Sequence, residues 1–151
     1  MTMAEHHFYL HADWPGGRNE VGQLKAGNLH TNISIPPEMD GPGIGTNPDE
    51  MLLGASATCY IITLAAMLER SNITPLSLTI DSEAIVEVER GVNTFKKIIH
   101  RPTIVLPYDV TEVDEKKVHR FVTLSEERCM ISKALKGNVE IALEPDIQIA
   151  Q

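Results

Sequence analysis

The sequence predicts an α+β fold in which mainly antiparallel sheet packs around helices. Segments with strand patterning occur in blocks: three before residue 36, two between residues 76 and 106, and one at the end. Two segments with helical patterning separate these blocks. The chain has 151 residues, a usual length for one domain, so we interpret residues 1–151 as a single domain.

The first block is predicted to be a small three-stranded sheet. Residues 5–11 have weak strand character, and residues 21–25 and 29–35 have the composition of two further strands. Apolar residues alternate along the third of these from Leu29 onward, which is typical of a half-buried strand. Residues 36–47 are interrupted by prolines and glycines and are therefore predicted to be a loop.

A long helix is predicted to begin after this loop. Asn47 is a favourable N-cap, Pro48 suits the first turn, and Glu50 lies three residues after the cap, as in a capping box. Residues 51–68 carry no charge, which is the threshold length for a membrane span. Because the segment contains polar residues and has no flanking basic cluster, we interpret it as a buried core helix that ends near Arg70.

The remainder predicts a hairpin, a second helix and a last strand. Residues 76–90 and 95–106 are predicted to pair as long strands, with Gly91-Val92-Asn93 turning the chain between them. Thr111 is predicted to cap the second helix, which ends close to Cys129 and is followed by a short helical turn. Residues 139–149 are predicted to form one final strand.

The charge of the chain restricts the possible partners. The formal net charge is -8 with an isoelectric point near 5.2. An acidic chain of this kind is a poor match for nucleic acid or for anionic membranes. The first residues lack the basic start and apolar run of a signal peptide, so we expect a cytoplasmic protein.

The two cysteines, Cys59 and Cys129, are the candidate chemical groups. They lie 70 residues apart, which does not match the close ligand pairs of a zinc site. They are therefore either inert buried thiols or a redox pair. Cys59 lies about three turns into the predicted helix, too far from its start to be activated by the helix dipole. A reactive Cys59 would therefore need a cation from elsewhere in the fold, and Arg18 is a candidate.

Three motifs, taken together, resemble the osmotically inducible protein C (OsmC) and organic hydroperoxide resistance (Ohr) superfamily. They occur in the family's order, and the order of predicted elements agrees over essentially the whole chain. The motifs are Gly16-Gly17-Arg18; Gly45-Thr46-Asn47-Pro48-Asp49-Glu50 followed by Cys59; and Cys129 with Ser132, Ala134, Gly137 and Asn138. The segment between the two cysteines and the Met130-Ile131 pair differ from the pattern of Ohr proper and favour an OsmC-like branch.

The resemblance implies an intertwined homodimer with long central helices between sheets. It implies that Cys59 is the peroxidatic cysteine, Cys129 the resolving cysteine and Arg18 the activator. Asp49 occupies the position of the family's acidic partner for the arginine, although that residue is usually the longer glutamate. Glu50 is the alternative partner, and a role in capping the helix is the competing interpretation for it.

This resemblance implies a thiol-dependent peroxidase that reduces organic hydroperoxides to alcohols. It works without metal, haem or flavin, and an external dithiol, in the family often a lipoyl group, restores the thiols. Apolar residues such as Met51, Ile62 and Met67 are expected to favour an organic peroxide. Two other interpretations stay open: a redox sensor or small-molecule-binding dimer without turnover, and a structural domain with two idle thiols.

Overall fold

A three-stranded antiparallel sheet begins the chain, which the structure, a computed structural model, describes over residues 3–151. Its strands follow the order β1 (His11–Asp13), β2 (Gly22–Ala26) and β3 (Leu29–Ile33). The first strand forms later than the predicted residues 5–11, because residues 3–10 have no regular structure and only His11 of that range belongs to β1. The pairing with β2 stops at His11 opposite Lys25, close to the end of that strand, so earlier residues have no partner strand.

The loop after β3 holds a short 3-10 helix, Pro37–Met39, and leads into a long α-helix. Helix α1 spans Pro48–Arg70, as predicted. The Asn47 cap is confirmed, since its side-chain Oδ1 accepts the backbone N–H of Glu50 at 2.9 Å. The chain forms two compact units that divide within the first turns of this helix, between Met51 and Leu52.

Helix α1 has one buried face and one open face, although the sequence predicted a buried core helix. The buried face carries Tyr60, Leu64, Met67 and Leu68. The open face is nearly uncharged and is formed by Gly54, Ala55, Thr58, Ile62, Ala65 and Glu69. The helix has the length and the hydropathy, 1.9 over its most apolar window, of a membrane span. Its buried face, however, belongs to the core of the second unit, so we interpret it as a core helix.

A long antiparallel hairpin forms the centre of the second sheet. Strand β4 spans Ser77–Glu89 and β5 spans Val92–Leu106. The turn consists of Arg90 and Gly91, both with positive φ angles of 52° and 77°, so it is shorter than predicted. Two consecutive residues with positive φ form the tight turn whose twist matches that of paired strands.

The last part of the chain forms two short strands, not the single strand that was predicted. Strands β6 (Glu140–Leu143) and β7 (Asp146–Ile149) both pair with β5, and both run parallel to it. Pro145 lies between them and has no backbone N–H to contribute to a ladder. The second sheet is therefore mixed, and the expectation of mainly antiparallel sheet holds for the first sheet and for the hairpin.

Two helices follow the hairpin and complete the core of the second unit. Helix α2 spans Glu112–Arg128, and its predicted cap is confirmed because Thr111 Oγ1 accepts the Asp114 N–H at 3.1 Å. Helix α3 spans Met130–Leu135. One side of α2 packs against the buried face of α1 and the sheet through Val118, Phe121 and Val122. This α+β arrangement agrees with the predicted fold class.

Candidate active site

Cys59 lies in the middle of helix α1 and is partly exposed. One helical turn later, the hydroxyl of Thr63 donates a hydrogen bond to the Cys59 carbonyl at 2.7 Å. The neighbouring residue Tyr60 is fully buried, so the helix turns Cys59 to the margin of the core. The thiol is thus held on a rigid element while remaining accessible to a reactant.

Cys129 occupies the single residue between α2 and α3 and is fully buried. Its backbone N–H donates to the Ser125 carbonyl at 3.0 Å, and its carbonyl accepts from the Lys133 N–H at 3.0 Å. Its sulfur accepts the backbone N–H of Ser132 at 3.5 Å, so the side chain itself caps α3. The position of this sulfur is fixed by both helices.

The two thiols touch, and their environments move their pKa values in opposite directions. Burial raises the pKa of Cys59. Four hydrogen-bonding groups together lower this pKa by more: the Cys129 thiol first, then the N–H groups of Ile131 and Met130 and the Thr63 hydroxyl. The net pKa of Cys59 is therefore lowered. Burial raises the pKa of Cys129, and its thiol keeps its proton because it donates to Cys59. Cys59 is therefore the more acidic thiol of the pair, and Cys129 is its hydrogen-bond donor.

The sequence did not reveal this source of activation for Cys59. Its stabilising groups within the second unit include two backbone N–H groups, those of Met130 and Ile131 at the start of α3. Backbone donors have no signature in the amino-acid composition. The expectation that only a distant cation could lower the pKa of Cys59 was therefore incomplete.

Arg18 lies in the first unit, where its guanidinium binds to polar atoms of the loops. It donates to the carbonyl of Met39 at 2.7 Å, to the carbonyl of Asp40 at 3.2 Å and to Asn19 Oδ1 at 2.8 Å. Among residues 3–51, no ion pair joins it to a carboxylate. Neutral carbonyl partners fix the orientation of the guanidinium and leave its positive charge uncompensated within this unit.

The two acidic candidates occupy the first turn of α1. Asp49 is partly buried and Glu50 is exposed. The Glu50 carboxylate accepts the hydroxyl of Thr46 at 2.9 Å rather than the N–H of Asn47, so only one half of the predicted capping box forms. In this arrangement Glu50 supports the start of the helix, and neither acid binds Arg18 among the residues described in this unit.

A buried histidine network, which the sequence analysis did not identify, lies behind the cysteine helix. His100 on β5 is fully buried; its Nε2 is 2.9 Å from Ser56 Oγ and its Nδ1 is 2.6 Å from Ser82 Oγ. Its ring stacks on Tyr60, with centroids 5.4 Å apart, and Tyr60 donates to the Val122 carbonyl at 2.8 Å. Burial lowers the pKa of His100, so the imidazole is neutral and each ring nitrogen has a hydroxyl partner.

Comparison with known proteins places the chain in a family. The family model described as "OsmC-like protein" matches residues 41–144, more than half of the chain. The chain is 59% identical over 147 residues to "Uncharacterized protein YmaD" of Bacillus subtilis, covering 97% of this chain and 98% of the relative. It is 26% identical to "Organic hydroperoxide resistance protein OhrB" of the same organism, with 85% and 90% of the two chains covered. The chain therefore belongs to the OsmC-like family.

The same fold occurs in solved structures. The chain matches an organic hydroperoxide resistance protein from Elizabethkingia anophelis with a TM-score of 0.76 and 19% identity, over 97% of this chain and all of that one. The resemblance to the OsmC/Ohr fold that the sequence motifs indicated is confirmed. At this level of identity, the structural match establishes the fold alone.

Proposed function

We propose that the protein is a thiol peroxidase that reduces organic hydroperoxides to alcohols. The Cys59 thiolate attacks one peroxide oxygen, the O–O bond breaks, and the alkoxide leaves as an alcohol after taking a proton. Cys59 then carries a sulfenic acid. The sulfur of Cys129 displaces the hydroxyl group, which leaves as water, and a disulfide joins the two cysteines. An external dithiol, such as a lipoyl group, restores both thiols by exchange.

The contact between the two thiols is the observation that supports this proposal most strongly. A peroxidatic thiol needs a lowered pKa and access to the reactant, and Cys59 has both. A resolving thiol needs to reach the sulfenic sulfur, and Cys129 already donates a hydrogen bond to that sulfur in the reduced state. Two idle buried thiols would require neither the opposite pKa directions nor the donors of Met130 and Ile131.

Arg18 is proposed as the group that stabilises negative charge on the leaving oxygen. The carbonyls of Met39 and Asp40 orient its guanidinium. Among residues 3–51 no carboxylate neutralises its positive charge, so the charge is suited to stabilising a negative oxygen. Asp49 is proposed as its acidic partner in the assembled site, with Glu50 as the alternative. The hydrogen bond from Thr46 to Glu50 favours Asp49, because it already engages the Glu50 carboxylate at the helix start.

The preference for an organic peroxide is proposed from the apolar surface of α1. Ile62, one turn from Cys59, is 63% exposed and offers an alkyl contact. Met67, which the sequence analysis placed in this role, is only 4% exposed and belongs to the core, so it is withdrawn from the substrate surface. The proposal needs no metal or organic cofactor, and the reaction described above uses only cysteine, arginine and a dithiol.

A homodimer is proposed because α1 leaves a nearly uncharged face open. Its open face, defined above, includes Ile62 and several small residues that would allow a second helix to approach closely. The N-terminal segment also exposes Phe8 and Tyr9, at 94% and 80%. Sedimentation should give twice the monomer mass of 16.7 kDa at micromolar concentration, and a monomer would contradict this part of the proposal.

Steady-state turnover tests the proposed activity. The protein should consume an alkyl hydroperoxide faster than hydrogen peroxide, with dithiothreitol or a lipoyl donor as reductant. Cys59→Ser should abolish consumption. Cys129→Ser should lose turnover faster with peroxide dose than the parent protein, because its unresolved Cys59 sulfenic acid can proceed to the sulfinic state. If the parent protein forms the disulfide but does not turn over with either dithiol, a redox sensor becomes the better interpretation.

A further inference from the structure

Ser132 has a hydroxyl group whose position is unexplained by the fold. The residue is 5% exposed, and its Oγ is the one buried side-chain oxygen or nitrogen of residues 3–151 that lacks a hydrogen-bond partner of ordinary geometry. Buried polar atoms are almost always paired, because an unpaired one loses its hydration without compensation. An alanine at this position would avoid that cost. The stability of the reduced protein therefore does not explain the presence of the hydroxyl.

The Cys129 thiol is the titratable group that the Ser132 side chain influences. The backbone N–H of Ser132 donates to that sulfur at 3.5 Å, which fixes Ser132 on the same side of the thiol. Burial raises the pKa of Cys129, its donation to Cys59 raises it further, and the Ser132 side chain acts against both by lowering it. Among residues 3–151, the one side chain that lowers the pKa of Cys129 is thus the same one whose hydroxyl lacks a partner of ordinary geometry.

A neutral thiol is a poor hydrogen-bond acceptor, whereas a thiolate is a strong one. A hydroxyl held against a thiol is therefore nearly unsatisfied while the sulfur is protonated, and it becomes satisfied once the proton leaves. The hydroxyl therefore stabilises the Cys129 thiolate more than the protonated thiol. An interaction that is stronger in the reacting form than in the resting form accelerates a reaction step, whereas one that is equal in both only stabilises the fold.

We propose that Ser132 is a positioning residue for Cys129, whose hydroxyl stabilises the Cys129 thiolate that attacks the Cys59 sulfenic acid. The inference rests on the proposed peroxidase function. In that step the Cys129 thiol loses its proton, its sulfur forms the S–S bond, and the S–O bond of Cys59 breaks. The leaving hydroxide takes up a proton, so the overall products are one disulfide and one water. The same hydroxyl would stabilise Cys129 as the leaving thiolate when a dithiol reopens the disulfide.

The direct test is a titration of Cys129 that needs no peroxide. In a Cys59→Ser background, Cys129 is the single cysteine, and its ionisation can be followed by thiolate ultraviolet absorbance. Ser132→Ala should move the midpoint of this titration to higher pH. Ser125→Ala is the matched control, because Ser125 is also a buried serine but donates its hydroxyl to Phe121. The control should lower the melting temperature and leave the Cys129 midpoint in place.

Kinetics in the presence of both cysteines give the second readout. After one equivalent of alkyl hydroperoxide, Ser132→Ala should form the disulfide about tenfold more slowly at neutral pH, as expected for a lost hydrogen bond to a charged group. The deficit should shrink as the pH rises. Ser132→Thr and Ser132→Val provide a second comparison, because threonine and valine share a shape and differ in the hydroxyl. The valine variant should form the disulfide more slowly than the threonine variant, even if the alanine variant folds poorly.

Equal Cys129 midpoints in the serine and alanine forms, or equal rates for the threonine and valine variants, would overturn the role of Ser132. Failure of the parent protein to form a disulfide would instead overturn the proposed function. The titration still judges the interaction between Ser132 and Cys129 in that case, so the two failures are distinguishable.

Discussion

Removal of the Cys129 hydrogen bond should reduce the reactivity of Cys59. Cys129→Ala deletes the first of the groups that lower the pKa of Cys59, whereas Cys129→Ser keeps a hydroxyl donor at the same place. A hydrogen bond to a charged group contributes roughly 1.5–3 kcal/mol when fully buried. Because Cys59 is partly exposed, water offsets much of this, and about 1 kcal/mol remains, or about a fivefold change in an equilibrium.

Alkylation of Cys59 measures this effect without any peroxide. With the thiolate as the reactive form, the rate at neutral pH should fall several-fold in Cys129→Ala, and its pH profile should move to higher pH. Cys129→Ser should lie between this variant and the parent protein. The reasoning is refuted if Cys59 is alkylated at the same rate in the alanine variant and in the parent protein across the pH range. Cys129 would then make no contribution to the pKa of Cys59.

The remaining predictions concern the arginine, the acids and the histidine. Arg18→Ala should slow peroxide reduction strongly, and Arg18→Lys should also impair it, because an ammonium does not reproduce a planar fork; unchanged peroxide kinetics would remove Arg18 from the mechanism. Asp49→Asn should lower activity more than Glu50→Gln, and the reverse ranking in the same assay would exchange their roles. Burial lowers the pKa of His100 in the folded protein. As the pH falls below the ordinary histidine pKa of 6.5, the unfolded chain therefore binds a proton at this residue before the folded chain does. Stability should therefore fall as pH falls through about 6.5, and His100→Gln should flatten this dependence in denaturant titrations while lowering stability at neutral pH.

Much of the fold follows from local signals in the sequence. The capping sequence at Asn47 and the uncharged run behind it predicted α1 to within a residue, because both signals act within one or two turns. Thr111 and Asp114 located α2 for the same reason. The errors concern non-local pairing. Residues 5–10 have strand character but no partner strand. The parallel direction of β6 depends on the path of the chain through the two preceding helices.

The two cysteines stand out in the sequence, whereas the groups that surround them in the fold do not. The residues around Cys59 and Cys129 gave no geometric reason to pair them across 70 residues; the resemblance to a family did. The N–H groups of Met130 and Ile131 belong to the backbone, which every residue type shares, so composition cannot reveal them. His100 was missed because its partners come from α1 and β4 and meet only in the folded core.

Intact-mass spectrometry after one equivalent of alkyl hydroperoxide tests the central claim most directly. The parent protein should lose two hydrogen atoms, and peptide mapping should join Cys59 to Cys129. Cys129→Ser should instead gain one oxygen on Cys59 and, with excess peroxide, proceed to the sulfinic acid. Cys59→Ser should remain unchanged. Oxygen gained by the parent protein without a disulfide between Cys59 and Cys129 would contradict the account.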